Sequence, residues 1–262
     1  MKTGISTASF FLRRNTEDAI PIIKKMGADV AEVFYATFYE YRPEFSEKYA
    51  SRAAGLEINS VHALPTNYEP QLFNESRRTR GDAYYWLDQV MRSAQILGAR
   101  YYTFHGYIAG KGGFGNDMDK LALYMNDILE FCSRYGVQLC MEDVAWCMYS
   151  KPGLFKELKK RCPNLWGVFD IKQTRRSGYP MNMYIEDMRG SLAYAHLSDV
   201  DSCGRVCLPG KGMYDFEEII KRLKGTGFDG SLLIEVYPEN YQDESEIKES
   251  MDYLKEIVYK LS

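Results

Sequence analysis

Short apolar runs and longer amphipathic stretches alternate along the chain. The runs that read as strands are Gly4–Ser9, Ala28–Tyr35, Glu57–His62, Ala99–His105, Val137–Glu142, Leu165–Asp170, Leu192–Leu197 and Ser231–Glu235. Each is short and mostly apolar, as a strand covered on both faces requires. Helical periodicity fills the intervals. It predicts Glu17–Met26 with Thr16 as N-cap, a helix that runs to Gly55 after a loop of Phe34–Tyr41 and Pro43, Asn74–Leu97, Asp117–Tyr135, a helix opened by Pro152, Pro180–Arg189, Asp215–Leu223 and Glu244–Leu261. Glycines 27, 98, 136 and 225 stop four of them, because glycine accepts the left-handed backbone that ends a helix. Eight strand and helix alternations predict an α/β fold, a single closed (β/α)₈ barrel forming one domain over residues 1–262. An open doubly wound sheet would advertise a ligand loop after its first strand, and the sequence has none there.

The runs share an ending. His62, His105, Glu142, Asp170, His196 and Glu235 each close one, and in a parallel barrel the carboxyl ends of the strands meet at one face. The six are therefore predicted to surround one cavity, and they include all three histidines of the chain. Glu142, Asp170, His196 and Glu235 end four successive strands. Three carboxylates and an imidazole carry a net charge of about −3, which burial would not tolerate without a cation. One divalent metal ion (Mn, Mg, Co or Zn) answers that need, and the ligand chemistry does not choose among the four. Taken alone, each acid is equally an N-cap or a salt-bridge partner, and His62 and His105 are equally loop partners.

Composition narrows the partners. With 33 basic against 36 acidic residues and no basic stripe, nucleic acid is not expected. The amino terminus lacks a signal-length apolar core and no stretch approaches the roughly 20 apolar residues of a membrane span, so a cytoplasmic location is the default and no membrane is expected. Six cysteines without CxxC spacing read as reduced core thiols, with Cys203 and Cys207 near His196 an incomplete zinc set. The Gly106–Gly115 loop holds five glycines and Lys111. It matches no phosphate or dinucleotide loop and reads as a flexible segment or an anion contact.

At the acids the sequence resembles a known family. MEDV around Glu142, FDIKQ around Asp170, AHLSD around His196, LPGKG at Leu208–Gly212 and LLIEVYP around Glu235 are similar to the xylose isomerase-like barrel superfamily of sugar isomerases, ketose 3-epimerases, inosose dehydratase and endonuclease IV. The resemblance covers nearly the whole chain and implies a TIM barrel. It implies that Glu142, Asp170, His196 and Glu235 bind the metal, that Glu142 and Glu235 face each other across a substrate as catalytic acid and base, and that the ion stabilises an enediolate. It further implies that His62 and His105 orient substrate hydroxyls. The chain departs from the tagatose epimerase pattern at Gln173, where that pattern has histidine, and at Met148, where it has glutamate. Gln173 keeps a hydrogen-bonding role but cannot transfer a proton. With histidine missing there, a multinuclear zinc cluster of the endonuclease type is not expected.

Basic residues after strands six and seven are candidates for a substrate oxyanion: Lys172, Arg175, Arg176, Arg205 and Lys211, with Arg205 favoured for its bidentate geometry. Phe10, Tyr107, Trp146 and Tyr237 are candidates for an apolar wall. The expected activity is a metal-dependent isomerase or epimerase of a small sugar, sugar phosphate or keto acid. An inosose-type dehydratase uses the same opening proton abstraction, and a catalytically silent ligand-binding barrel would keep the metal set alone. The outer helices allow a homo-oligomer, and no stripe in the sequence demands one.

Overall fold

The computed structural model describes residues 1–110 and 117–262, so Lys111 and the rest of residues 111–116 lie outside the described residues. Eight strands form the barrel: β1 (Lys2–Ser6), β2 (Val30–Tyr35), β3 (Glu57–Ala63), β4 (Tyr101–Phe104), β5 (Gln138–Glu142), β6 (Trp166–Asp170), β7 (Leu192–Leu197) and, after a small ribbon of β8 (Asp199–Val200) and β9 (Val206–Cys207), β10 (Ser231–Ile234). The sheet closes in the order β1, β10, β7, β6, β5, β4, β3, β2, and every neighbouring pair is parallel. This is the (β/α)₈ TIM barrel.

Outside it run α1 (Thr16–Lys25), α2 (Pro43–Ala53), α3 (Arg77–Leu97), α4 (Met118–Ser133), α5 (Leu154–Arg161), α6 (Ile171–Ser177), α7 (Met181–Asp187), α8 (Phe216–Gly225) and α9 (Glu244–Lys260). Their apolar faces cover the strands, so the strands are buried on both sides, as the continuous apolar runs require. Packing is close enough at β6 that a Cβ on Gly167 would meet Met188 Sδ at 2.4 Å. None of the described helices is long and apolar enough to cross a membrane.

Two local expectations are corrected, and two elements appear that the periodicity did not predict. Thr16 is the first residue of α1 rather than its cap, and its hydroxyl donates to Phe34 O at 3.2 Å, tying the helix to the end of β2. The helix expected from Asn74 begins at Arg77, because a 3₁₀ turn over Glu69–Phe73 precedes it and Ser76 caps it. Directly after β6, α6 is one the periodicity does not show, since seven residues are too few for an apolar stripe. The β8 and β9 ribbon was equally invisible, with two residues on each side. His105 and Glu235 lie one residue beyond their strands. Gly106 takes the left-handed turn at φ +76° that follows His105.

Candidate metal and substrate site

The carboxyl ends of the strands open into a cavity of about 360 Å³. His62, His105, Glu142, Lys172, Gln173 and Glu235 form its polar floor, while Phe11, Phe34, Trp146, Val236 and Tyr237 contribute apolar wall. His62, His105, Glu142 and Glu235 reach the floor because parallel strands end there, and Lys172 and Gln173 because α6 starts directly after β6. Asp170 and His196 lie just beneath, buried at 1% and 0% exposure.

His196 organises the centre. Its Nδ1 lies 2.7 Å from Glu142 Oε1, 3.2 Å from Glu235 Oε2 and 3.9 Å from Asp170 Oδ2. Each of these four residues offers one ligand atom within 4.8 Å of the others. Glu235 Oε2 is buried and has no hydrogen-bond partner. A set of three carboxylates and an imidazole, with one oxygen left unsatisfied, fits a hard divalent ion. On the other side of the ring, Nε2 is 3.0 Å from Glu32 Oε1, though off the line of a hydrogen bond. The Glu32 carboxylate thus lies behind the ring, on the side away from Glu142.

Two buried residues that sequence reasoning did not single out support the floor from behind. Glu32 in β2, at 0% exposure, accepts hydrogen bonds from Ser6, Ser60 and Thr103 and lies 3.2 Å from His62 Nδ1. Glu69, in the 3₁₀ turn, accepts from the backbone N–H of His105 and of Gly106 and sits 3.0 Å from His105 Nδ1. The two acids aim the histidines so that His62 Nε2 and His105 Nε2 lie 2.9 Å apart. Glu32 carried a signal, being an acid inside an otherwise apolar run. Glu69 carried none, because the loop holding it has no periodicity.

Placement of the other expected residues divides. Gln173 lines the cavity and its Oε1 accepts from Ala145 N at 3.4 Å. Arg205 does not reach it: the guanidinium pairs with Asp201 at 2.8 Å on the surface ribbon, with a side chain 78% exposed. Lys211 is likewise paired, with Glu249. Lys172 is instead buried, and its ammonium donates to Asp170 Oδ2 and to Glu235 Oε1. Arg176 lines the mouth and donates to the Tyr237 hydroxyl at 2.8 Å, whereas Arg175 does not line the cavity. Trp146 and Tyr237 are wall residues, Phe10 is core, and Tyr107 packs edge-on against Phe73. Met148 is buried against Gly106 rather than facing the cavity. Cys132, Cys140, Cys147 and Cys162 are buried free thiols, and among the described residues no cysteine joins a metal-competent set.

Ionisation follows from these contacts. Burial would push Glu235 up, but the charges of His196 and Lys172 overcome it and hold the carboxyl at about 2. Glu142 is likewise held well below the usual carboxylate range against burial, by hydrogen bonds from His105 and His196. Burial pushes Asp170 up to about 6; Lys172 pulls it back, while Glu142 and Glu235 add to the rise. His62 is opposed by burial yet raised to about 10 by the Glu32 and Glu235 carboxylates.

Solved structures similar to this one share its fold across nearly their full length. D-psicose 3-epimerase with D-tagatose from Clostridium cellulolyticum H10 superposes with a TM-score of 0.80 at 17% identity, covering 98% of this chain and 99% of that one. The IOLI protein with a zinc atom bound gives 0.76 at 16% identity over 99% and 97%. The probable 3-DHS dehydratase AsbF from Bacillus anthracis gives 0.73 at 15% identity over 97% and 99%. At these identities they establish the fold alone. No functionally curated protein matches the chain in sequence. The sequence pattern of one family does match, from residue 20 to residue 257, nearly the whole barrel from α1 to the last turns of α9. On that match the chain belongs to the xylose isomerase-like TIM barrel family.

Proposed function

We propose that this barrel is a divalent-metal-dependent isomerase or epimerase of a small sugar, sugar phosphate or related keto acid, working through an enediolate. One observation carries the reading: Glu142 and Glu235 both line the cavity and both bring an oxygen within 3.2 Å of the same imidazole nitrogen of His196. Two ionised carboxylates converging on one point, with Asp170 beside them, make a place for both an ion and a proton transfer. Glu142, Asp170, His196 and Glu235 would hold the ion, which when bound supplies Lewis acidity to a carbonyl beside the carbon that loses its proton.

The remaining work falls to side chains. Glu142 and Glu235, both held ionised in the resting site, flank the substrate: one carboxylate takes the proton from carbon, and the other, once it has gained a proton from solvent, returns one from the opposite side. His62 and His105, held from behind by Glu32 and Glu69, line the cavity, and a substrate hydroxyl would take the place of the contact between their Nε2 atoms. The Gln173 amide adds a hydrogen bond and no proton chemistry. The apolar wall keeps bulk water from the enediolate.

Hydrogen exchange from solvent into a panel of ketoses, with Mn²⁺ added, tests this. Exchange with a rearranged or inverted sugar supports the reading. Exchange with loss of water would make the protein a dehydratase, and silence across the panel with Mn²⁺ bound would leave a ligand-binding barrel. Ketoses are the first panel because the similar structures include one named as a D-psicose 3-epimerase with D-tagatose.

A further inference from the structure

Lys172 is the feature of the floor that the proposed chemistry does not use. It is the second residue of α6, 3% exposed, and Asp170 two residues earlier caps that helix. Its ammonium donates to Asp170 Oδ2 and, at 2.9 Å, to Glu235 Oε1, and it lies 5.8 Å from the centre of the Tyr237 ring. The other oxygen of Asp170, Oδ1, is committed to the helix as acceptor for Gln173 N at 3.1 Å. Only Oδ2 remains to face His196, and the lysine already holds it.

We infer that Lys172 is a resident cation that occupies the Asp170 and Glu235 carboxylates in the metal-free protein and must withdraw from Asp170 when a divalent ion enters. The inference rests on the proposed reading of these acids as metal ligands. A unit positive charge within hydrogen-bond reach of two ligand oxygens lies a few ångströms from any ion those oxygens share, so the two cations repel and compete. Lys172 therefore does two things. It keeps the carboxylate pair balanced and in place without metal, and it weakens the affinity of the site for the ion. The withdrawn ammonium has room, because the residue already lines the cavity.

The test is the affinity of the full chain for Mn²⁺, read at one pH from the free-ion electron paramagnetic resonance signal after chelator treatment. Lys172→Met and Lys172→Gln should each bind Mn²⁺ at least about tenfold more tightly than the wild type, and the charge-keeping Lys172→Arg should not. Equal or weaker binding by folded Met and Gln variants overturns the inference and leaves the metal reading standing. No binding by any form ends both. Where circular dichroism shows that neither variant folds, the wild type decides. Acetylation of Lys172, mapped by peptide mass spectrometry, should be slow without Mn²⁺ and faster with it. Labelling that is unchanged or slower with the ion overturns the inference.

Discussion

Glu142 accepts from His196 and also faces His105 Nε2 at 3.2 Å, so its two oxygens are held by two different rings. Glutamine in its place keeps the shape and an acceptor oxygen but loses the ability to take a proton. Glu142→Gln should therefore lower solvent exchange into substrate by about 10²–10⁴-fold while the circular dichroism spectrum stays that of the wild type. Full exchange in that variant would remove Glu142 as the base. His62 gives a second prediction through pH. Its folded value of about 10 lies above the 6.5 of an ordinary imidazole, so its charged form stabilises the metal-free fold fully below pH 6.5. That contribution is lost as pH rises through about 10. Melting temperatures of chelator-treated protein should thus fall more steeply between these limits for the wild type than for His62→Gln, and parallel curves would show that His62 does not carry the charge.

Among the elements, the loop after β7 is held by one side chain. Asp199 Oδ1 accepts the N–H groups of Val200, Met213 and Tyr214, and Oδ2 those of Gly210 and Gly212. Five donors converge on one carboxylate, which explains why the LPGKG segment follows AHLSD at this distance: its backbone folds back onto Asp199. Asp199→Asn replaces an acceptor with a donor facing Gly210 and Gly212, and should cost about 2–4 kcal/mol in denaturant unfolding. A loss under about 0.5 kcal/mol, the ordinary surface range, would mean the loop is held by something else. The same loop shows where sequence reasoning stops. Its start was visible in the apolar run ending at His196, because burial on both faces writes itself as continuous hydrophobicity. Its ribbon was not, and so Arg205 was expected at a cavity it does not reach. Strand ends were legible to within a few residues, and hence so were His62, His105, Glu142, Asp170, His196 and Glu235. The direction of Lys172 was not legible, since it depends on α6 starting within one residue of Asp170. Neither was Glu69, which a loop of irregular backbone carries to His105.

For the molecule as a whole, the expected ligands come from β5, β6, β7 and the end of β10, four strands adjacent around the barrel wall. An ion held by all four would tie a contiguous arc of the barrel together, and unfolding would have to release it. At a free concentration a thousand times its dissociation constant, an ion bound only by the folded state adds about 4 kcal/mol. For a chain of this size that corresponds to a rise of about 10 °C in melting temperature. Mn²⁺ at saturating concentration should therefore raise the melting temperature of chelator-treated protein by about this much, and excess chelator should reverse it. Glu235→Gln, which removes a ligand charge while its neighbours remain, should reduce the rise. Melting that ignores both ion and chelator would mean that the four residues, though gathered within one radius, are a self-neutralised polar core. In that case Lys172 and the histidines would already supply all the positive charge the carboxylates require.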